Sequence, residues 1–141
     1  MSAWRLKRPQ HLPSPQPTEE ALPFFEALQQ GELKLQQCSR CERWSHPPRA
    51  MCPQCQSFDF QWLPVSGRGT VYSYVVTHQA VHPALVDHTP FATVEVELEE
   101  GPRITSNLID VPPEEIEIGT AVEVVFEKIS DEVTLPLFRR A

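Results

Sequence analysis

Four cysteines, Cys38, Cys41, Cys52 and Cys55, have the residue type and spacing to do chemistry, and the chain contains no others. They form two Cys-x2-Cys pairs separated by ten residues. A spacer of two lets one backbone turn aim both sulfurs at the same ion. Two such turns facing each other put four thiolates at the corners of a tetrahedron, the geometry and ligand set that zinc prefers. Four protein ligands close the site and leave no position for water or substrate. One structural Zn2+ that folds the segment, and does not catalyse, is therefore the expected cofactor.

Other uses of the sulfurs fit less well. A dithiol redox pair needs one Cys-x-x-Cys, not two in register. Disulfides of a secreted domain would be spread along the chain, whereas these lie between positions 38 and 55. Iron also binds four thiolates and would make a small electron carrier. Rubredoxins usually have Gly just after each pair, where this chain has Glu42 and Gln56. Zinc with four thiolates carries a charge of −2, which the nearby Arg40, Arg43 and Arg49 can offset; the sharper reading is that one of them meets an anionic ligand.

Elsewhere the chemistry is thin. His78 and His82 have a helical metal-ligand spacing, but their surroundings read as strand and loop, and neither they nor His88 has a clustered carboxylate nearby. Ser66-Gly67-Arg68-Gly69-Thr70 offers a backbone that a phosphate can approach. It lacks the spacing of a dinucleotide or P-loop motif and reads better as a tight turn or bulge entering a barrel. Glu97, Glu99 and Glu100 look like a solvated strand edge. No Ser/His/Asp, Cys/His or paired-carboxylate arrangement is present, so no catalytic residue is assigned.

The elements that hold these residues can be read from periodicity. Four prolines between positions 9 and 17 suggest an extended arm over residues 1–20. Ala21, Phe24, Phe25 and Leu28 share a helix face, Pro23 suits a first turn and Gly31 a stop. A short helix over residues 21–30 must therefore pack its apolar face on this chain or on another protein. Leu33 to Gln37 reads as a strand into the first pair, and Pro47-Pro48 argues against regular structure between the pairs. Phe58, Phe60 and Trp62 alternate as a strand leaving the second pair. Further strands follow at 70–78, 92–98, 103–109 and 121–129, the last with Val122, Val124 and Phe126 on one face. Leu135 to Phe138 is an apolar tail that packs back. Short antiparallel strands with turn signals indicate a small barrel or sandwich.

Composition narrows the function classes. No apolar run is long enough to span a bilayer. Basic residues near the N-terminus precede no apolar stretch, which argues against a secretory signal, and the cytoplasm is the expected location. The net charge of −7 is uneven: residues 1–70 hold eight Lys/Arg and six Asp/Glu, and residues 71–141 hold four and thirteen. A C-terminal half at −9 repels a phosphate backbone.

As an ordered set, Pro23-Phe24-Phe25-Glu26-Ala27-Leu28, Gly31-Glu32-Leu33, the first cysteine pair, Pro47-Pro48-Arg49 and Cys52-Pro53-x-Cys55 resemble a known family. Gly67 to Tyr74, Pro90-Phe91, Gly119 before a Val-rich strand, and Leu135-Pro136-Leu137-Phe138 continue the likeness from about residue 17 onward. The family is that of zinc-ribbon and OB-fold acyl-CoA-associated proteins, known as domain of unknown function 35. The resemblance implies a mainly β fold: an arm and helix over 1–31, a rubredoxin-like zinc ribbon over 32–63 and an OB-fold barrel over 64–141. It also implies a non-catalytic accessory subunit in lipid metabolism that docks on a thiolase-superfamily enzyme, a thiolase or lipid-transfer-protein-like aldolase, and completes or stabilises its acyl-CoA site. The ribbon and helix would form the docking face. Trp44, Arg49 and Arg68 are candidate acyl-CoA contacts because adenine and phosphate need stacking and positive charge. The alternative is a single-stranded nucleic-acid module, which needs a basic groove with exposed aromatics. The acidic barrel half, with Phe91 and Phe126 expected in the core, argues against it.

Overall fold

The structure, a computed structural model, describes residues 12–141. Most of the arm expected over 1–20 lies outside those residues, and 12–18 form no helix or strand. A single 3-10 turn, Glu19–Ala21, leads into helix α1, Leu22–Gln29. Pro23 sits in its first turn. Gly31 ends it with φ of 75°, and Glu32 N–H closes on Ala27 O at 3.0 Å. Phe24, Ala27 and Leu28 are buried, and the helix packs on strands β1 and β8, defined below. Its apolar face is thus covered by this chain.

Eight strands follow in two sheets. The first contains β1 (Lys34–Cys38), β2 (Trp44–Ser45) and β3 (Phe60–Pro64), in the order β2-β1-β3. Strand β2 is a correction to the expected irregular insert: Gln36 and Gln37 of β1 pair with Ser45 and Trp44 before Pro47 can interfere. Phe58, expected in the strand, lies before it and is 74% exposed.

The second sheet contains β4 (Arg68–Thr77), β5 (Phe91–Leu98), β6 (Arg103–Asn107), β7 (Ala121–Lys128) and β8 (Thr134–Arg140). The order is β6-β5-β4-β7-β8, with every neighbour antiparallel. A parallel bridge between Leu108 and Phe138 brings the two end strands together, with Ile109 N–H on Phe138 O at 2.8 Å. The result is the small barrel that the resemblance implies. β8 replaces the expected packed tail, and its Phe138 is fully buried.

One core serves both sheets. Phe24 and Leu28 of the helix, Leu35 of the ribbon, Val94 and Val96 of β5, and Phe138 belong to one buried cluster. The aromatic residues expected inside the barrel are not all there. Phe126 is 37% exposed and Phe91 only half-buried. Val122 is buried at the start of β7, but the same face has reached solvent by Phe126.

Candidate functional site

Each cysteine pair sits on a turn built in the same way. Cys38 N–H donates to Arg43 O at 2.8 Å and receives Glu42 N–H on its own carbonyl at 2.9 Å. Cys52 N–H donates to Ser57 O at 2.8 Å and receives Gln56 N–H at 2.9 Å. Glu42 and Gln56 have φ of 65° and 63°, the left-handed region where Gly is most comfortable. Those two positions therefore adopt the backbone that glycine would serve, although neither is glycine.

The turns face each other. Cys38 Sγ lies 3.6 Å from Cys55 Sγ, and Cys41 Sγ lies 3.6 Å from Cys52 Sγ. All four sulfurs fall within 4.8 Å of one another. A tetrahedron with Zn–S bonds of about 2.3 Å has sulfurs about 3.8 Å apart, so the cluster fits the ion. The separations are far beyond a disulfide bond of about 2.05 Å.

Electrostatics point the same way. The Cys41 N–H and burial act in opposite senses on the Cys38 thiol, and the net effect is a lowered pKa. The Cys55 N–H leads in bringing Cys52 down to about 6. Arg43 N–H pulls Cys41 in the same direction, yet burial and the surrounding sulfurs push it up to about 12. Packed thiols resist becoming four thiolates together, and a divalent cation removes that resistance.

The candidate ligand contacts lie on different elements. Trp44 is half-buried on β2 and packs against the core. Arg49 is exposed, and its backbone is clamped by the buried Gln36 side chain at 2.9 Å and 2.8 Å. Among the described residues, Arg40, Arg43 and Arg49 form no ion pair. Arg68 donates from Nε and Nη2 to the two Glu99 oxygens at 3.1 Å and 3.2 Å. Those hydrogen bonds hold the Glu99 carboxyl below its ordinary range.

The glycines beside Arg68 have a structural use. A Cβ on Gly69 would collide with the Glu97 carbonyl, and one on Gly67 with Val124. Both strand contacts require the bare backbone. His82 Nδ1 accepts Ala84 N–H at 3.0 Å and caps a turn. Among the described residues, the cysteines are the sole group of three or more metal-ligating side chains within reach of one ion.

Reading the sequence missed His46. Its ring lies 5.1 Å from that of Phe24, and its Nδ1 is buried with no hydrogen-bond partner. Burial brings its pKa down to about 4. It lines a cavity of about 210 Å³ with Phe24, Phe25, Ser106 and Leu137, at the junction of helix, ribbon and barrel. No spacing in the sequence marks it, because its neighbours come from distant segments.

Comparison with known proteins accounts for both sheets. The rubredoxin-like zinc ribbon domain of ChsH2 matches residues 25–61, and the C-terminal OB-fold domain of ChsH2 matches residues 62–127. A DUF35 domain-containing scaffold protein of Methanothermobacter thermautotrophicus is 37% identical over 116 residues, covering 82% of this chain and 86% of that protein. The chain belongs to the DUF35 family. It carries a rubredoxin-like zinc ribbon domain, in which four cysteines lie close enough to hold one metal ion, joined to an OB-fold barrel. A solved structure described as Ltp2-ChsH2(DUF35) aldolase is similar to this DUF35 chain at a TM-score of 0.81 and 39% identity, over 90% of this chain and 98% of that one. A probable enoyl-CoA hydratase alpha subunit of Thermomonospora curvata is 42% identical over 118 residues, or 84% of this chain. This DUF35 chain spans only 36% of that relative's length. Among the described residues, no helix is long and apolar enough to cross a membrane.

Proposed function

We propose that this DUF35 chain is a non-catalytic accessory subunit that docks on a thiolase-superfamily enzyme and helps complete or stabilise its acyl-CoA site. The observation that carries the reading is the 39% identity to the chain in the Ltp2-ChsH2(DUF35) aldolase, across 98% of that chain. The hydratase alpha subunit relative supports the same substrate class, since an enoyl-CoA is also a CoA thioester. The zinc acts as a scaffold: its four ligands come from the protein, so it offers no position to a reacting group. No side chain of this chain is asked to form a covalent bond with substrate.

The acyl-CoA contacts in this reading remain Trp44, Arg49 and Arg68. Arg49 is the best placed for a phosphate, being exposed and without a carboxylate partner among the described residues. Arg68 serves only if phosphate displaces Glu99 from a solvent-exposed pair, an exchange with little energy at stake. Thiolates committed to metal suit a reducing compartment, which supports the cytoplasm as the location. The test compares the thiolase-like enzyme alone and with this chain. The expected result is a gain in turnover of its CoA thioester or in its thermal midpoint. An enzyme fully active and stable alone, and unchanged by addition of the chain, overturns the reading.

A further inference from the structure

Strand β4 is paired unequally along its two edges. One edge lies beside β5 from Gly69 to Thr77. The other pairs with β7 only over Arg68–Thr70, extended by Val71 through Thr120 O and Gly119 N–H at 3.0 Å and 2.8 Å. A register shift between Val71 and Ser73 then bends the strand away. From Ser73 to Thr77 the second edge has no strand beside it among the described residues.

Register identifies the open backbone groups. Glu99 N–H donates to Arg68 O, so alternate residues of β5, through Glu97, Glu95, Thr93 and Phe91, face β4. Beyond the bulge their partners are Ser73, Val75 and Thr77. The peptide groups of Tyr74 and Val76 therefore point outward. Uncovered edges normally carry charge or proline against unwanted pairing. Tyr72 to Thr77 carries neither.

The strand and the segments joined or bonded to it carry exposed apolar side chains. Val75 is 62% exposed, and Val81 and Val86, in the segment joining β4 to β5, are 75% and 63%. Ile118, 68% exposed, precedes the Gly119 that is bonded to Val71. Single exposed aliphatic residues are ordinary, and of these Val75 lies on the open strand itself.

We infer that this edge takes an extended segment of the partner enzyme as an added strand, with apolar side chains on Val75 and a Lys or Arg reaching across the small Ser73 towards Glu95. The inference rests on the accessory-subunit reading above. Charge selects the occupant. Glu95 lies opposite Ser73 on the outward face and has no ion-pair partner among the described residues. A second copy of this chain would bring another net charge of −7 to that acid. A basic segment gives it a partner while main-chain hydrogen bonds fix the register.

The test uses the purified Ltp2 component of the Ltp2-ChsH2(DUF35) aldolase as probe, with calorimetry for affinity and light scattering for mass. Val76→Pro removes an outward N–H, and Val75→Lys sets a like charge against a basic segment. Both variants are checked for one equivalent of zinc and an unchanged thermal midpoint. The expected result is binding by the wild type, weakened about tenfold or more in both variants, with Phe58→Ser in the ribbon binding as wild type. Val75→Lys keeps the question decidable if Val76→Pro fails to fold. Variants that bind as tightly as wild type overturn the inference and leave the accessory reading intact. So does loss of binding confined to Phe58→Ser, or a wild-type dimer that Val75→Lys makes monomeric. A wild type that does not bind overturns both.

Discussion

Two residues carry separable contributions to this molecule, Cys52 through metal and His46 through burial. Cys52→Ser removes one of four thiolates from a site that holds its ion by closure. The expected result is loss of the zinc equivalent during dialysis against a chelator that wild type resists, together with a lower thermal midpoint; metal analysis and calorimetry read both. His46 acts through protons. Its pKa is lowered from 6.5 to about 4 by burial, so folding favours the neutral ring. The unfolded chain takes up the proton first. This contribution is full above about pH 6.5 and is lost as pH falls through about 4, with up to about 3 kcal/mol at stake. Replacing the ring by phenylalanine removes the titration, so the stability of His46→Phe should fall less steeply than that of wild type between those values. Acid also strips zinc from both proteins, and the difference between their denaturation curves isolates the histidine. Cys52 was legible because its spacing states its purpose. His46 was not, because its contact with Phe24 and its place beside Ser106 and Leu137 exist only after folding.

Among the elements, the seam between β4 and β5 has the least tolerance. Gly69 faces the Glu97 carbonyl so closely that any Cβ there forces the backbone apart. Gly69→Ala is expected to lower stability by about 3 kcal/mol or more, measured by urea unfolding. A loss under about 1 kcal/mol would show that the strands can separate at little penalty. Alternation made β5 readable in the sequence, and it is buried at every second residue. β8 was harder, because Pro136 inside it argues against a strand. Its carbonyl instead accepts Ser106 Oγ at 2.6 Å, and the strand joins the closure of the barrel. β2 is two residues long and too short to show a period. The open edge of β4 was equally hidden, since pairing partners are a property of the sheet.

For the whole molecule, the helix joins the ribbon to the barrel. Phe24 and Leu28 share a core with Leu35 and Phe138, so the apolar face of the helix is internal packing. Large apolar side chains remain exposed on both parts, among them Met51 and Phe58 of the ribbon and Val75 of the barrel. The division into ribbon and barrel was legible because cysteine spacing and strand alternation are local signals. Which surface remains open was not, because it depends on how the two sheets cover each other. Docking itself is tested most directly by mass: this DUF35 chain is co-expressed with the thiolase-like enzyme of its own source and the purified product is analysed by size-exclusion light scattering. The expected result is one species containing both chains in a fixed ratio, with one zinc per DUF35 chain. Two species eluting separately at their own masses, with or without acyl-CoA, would contradict the accessory-subunit reading.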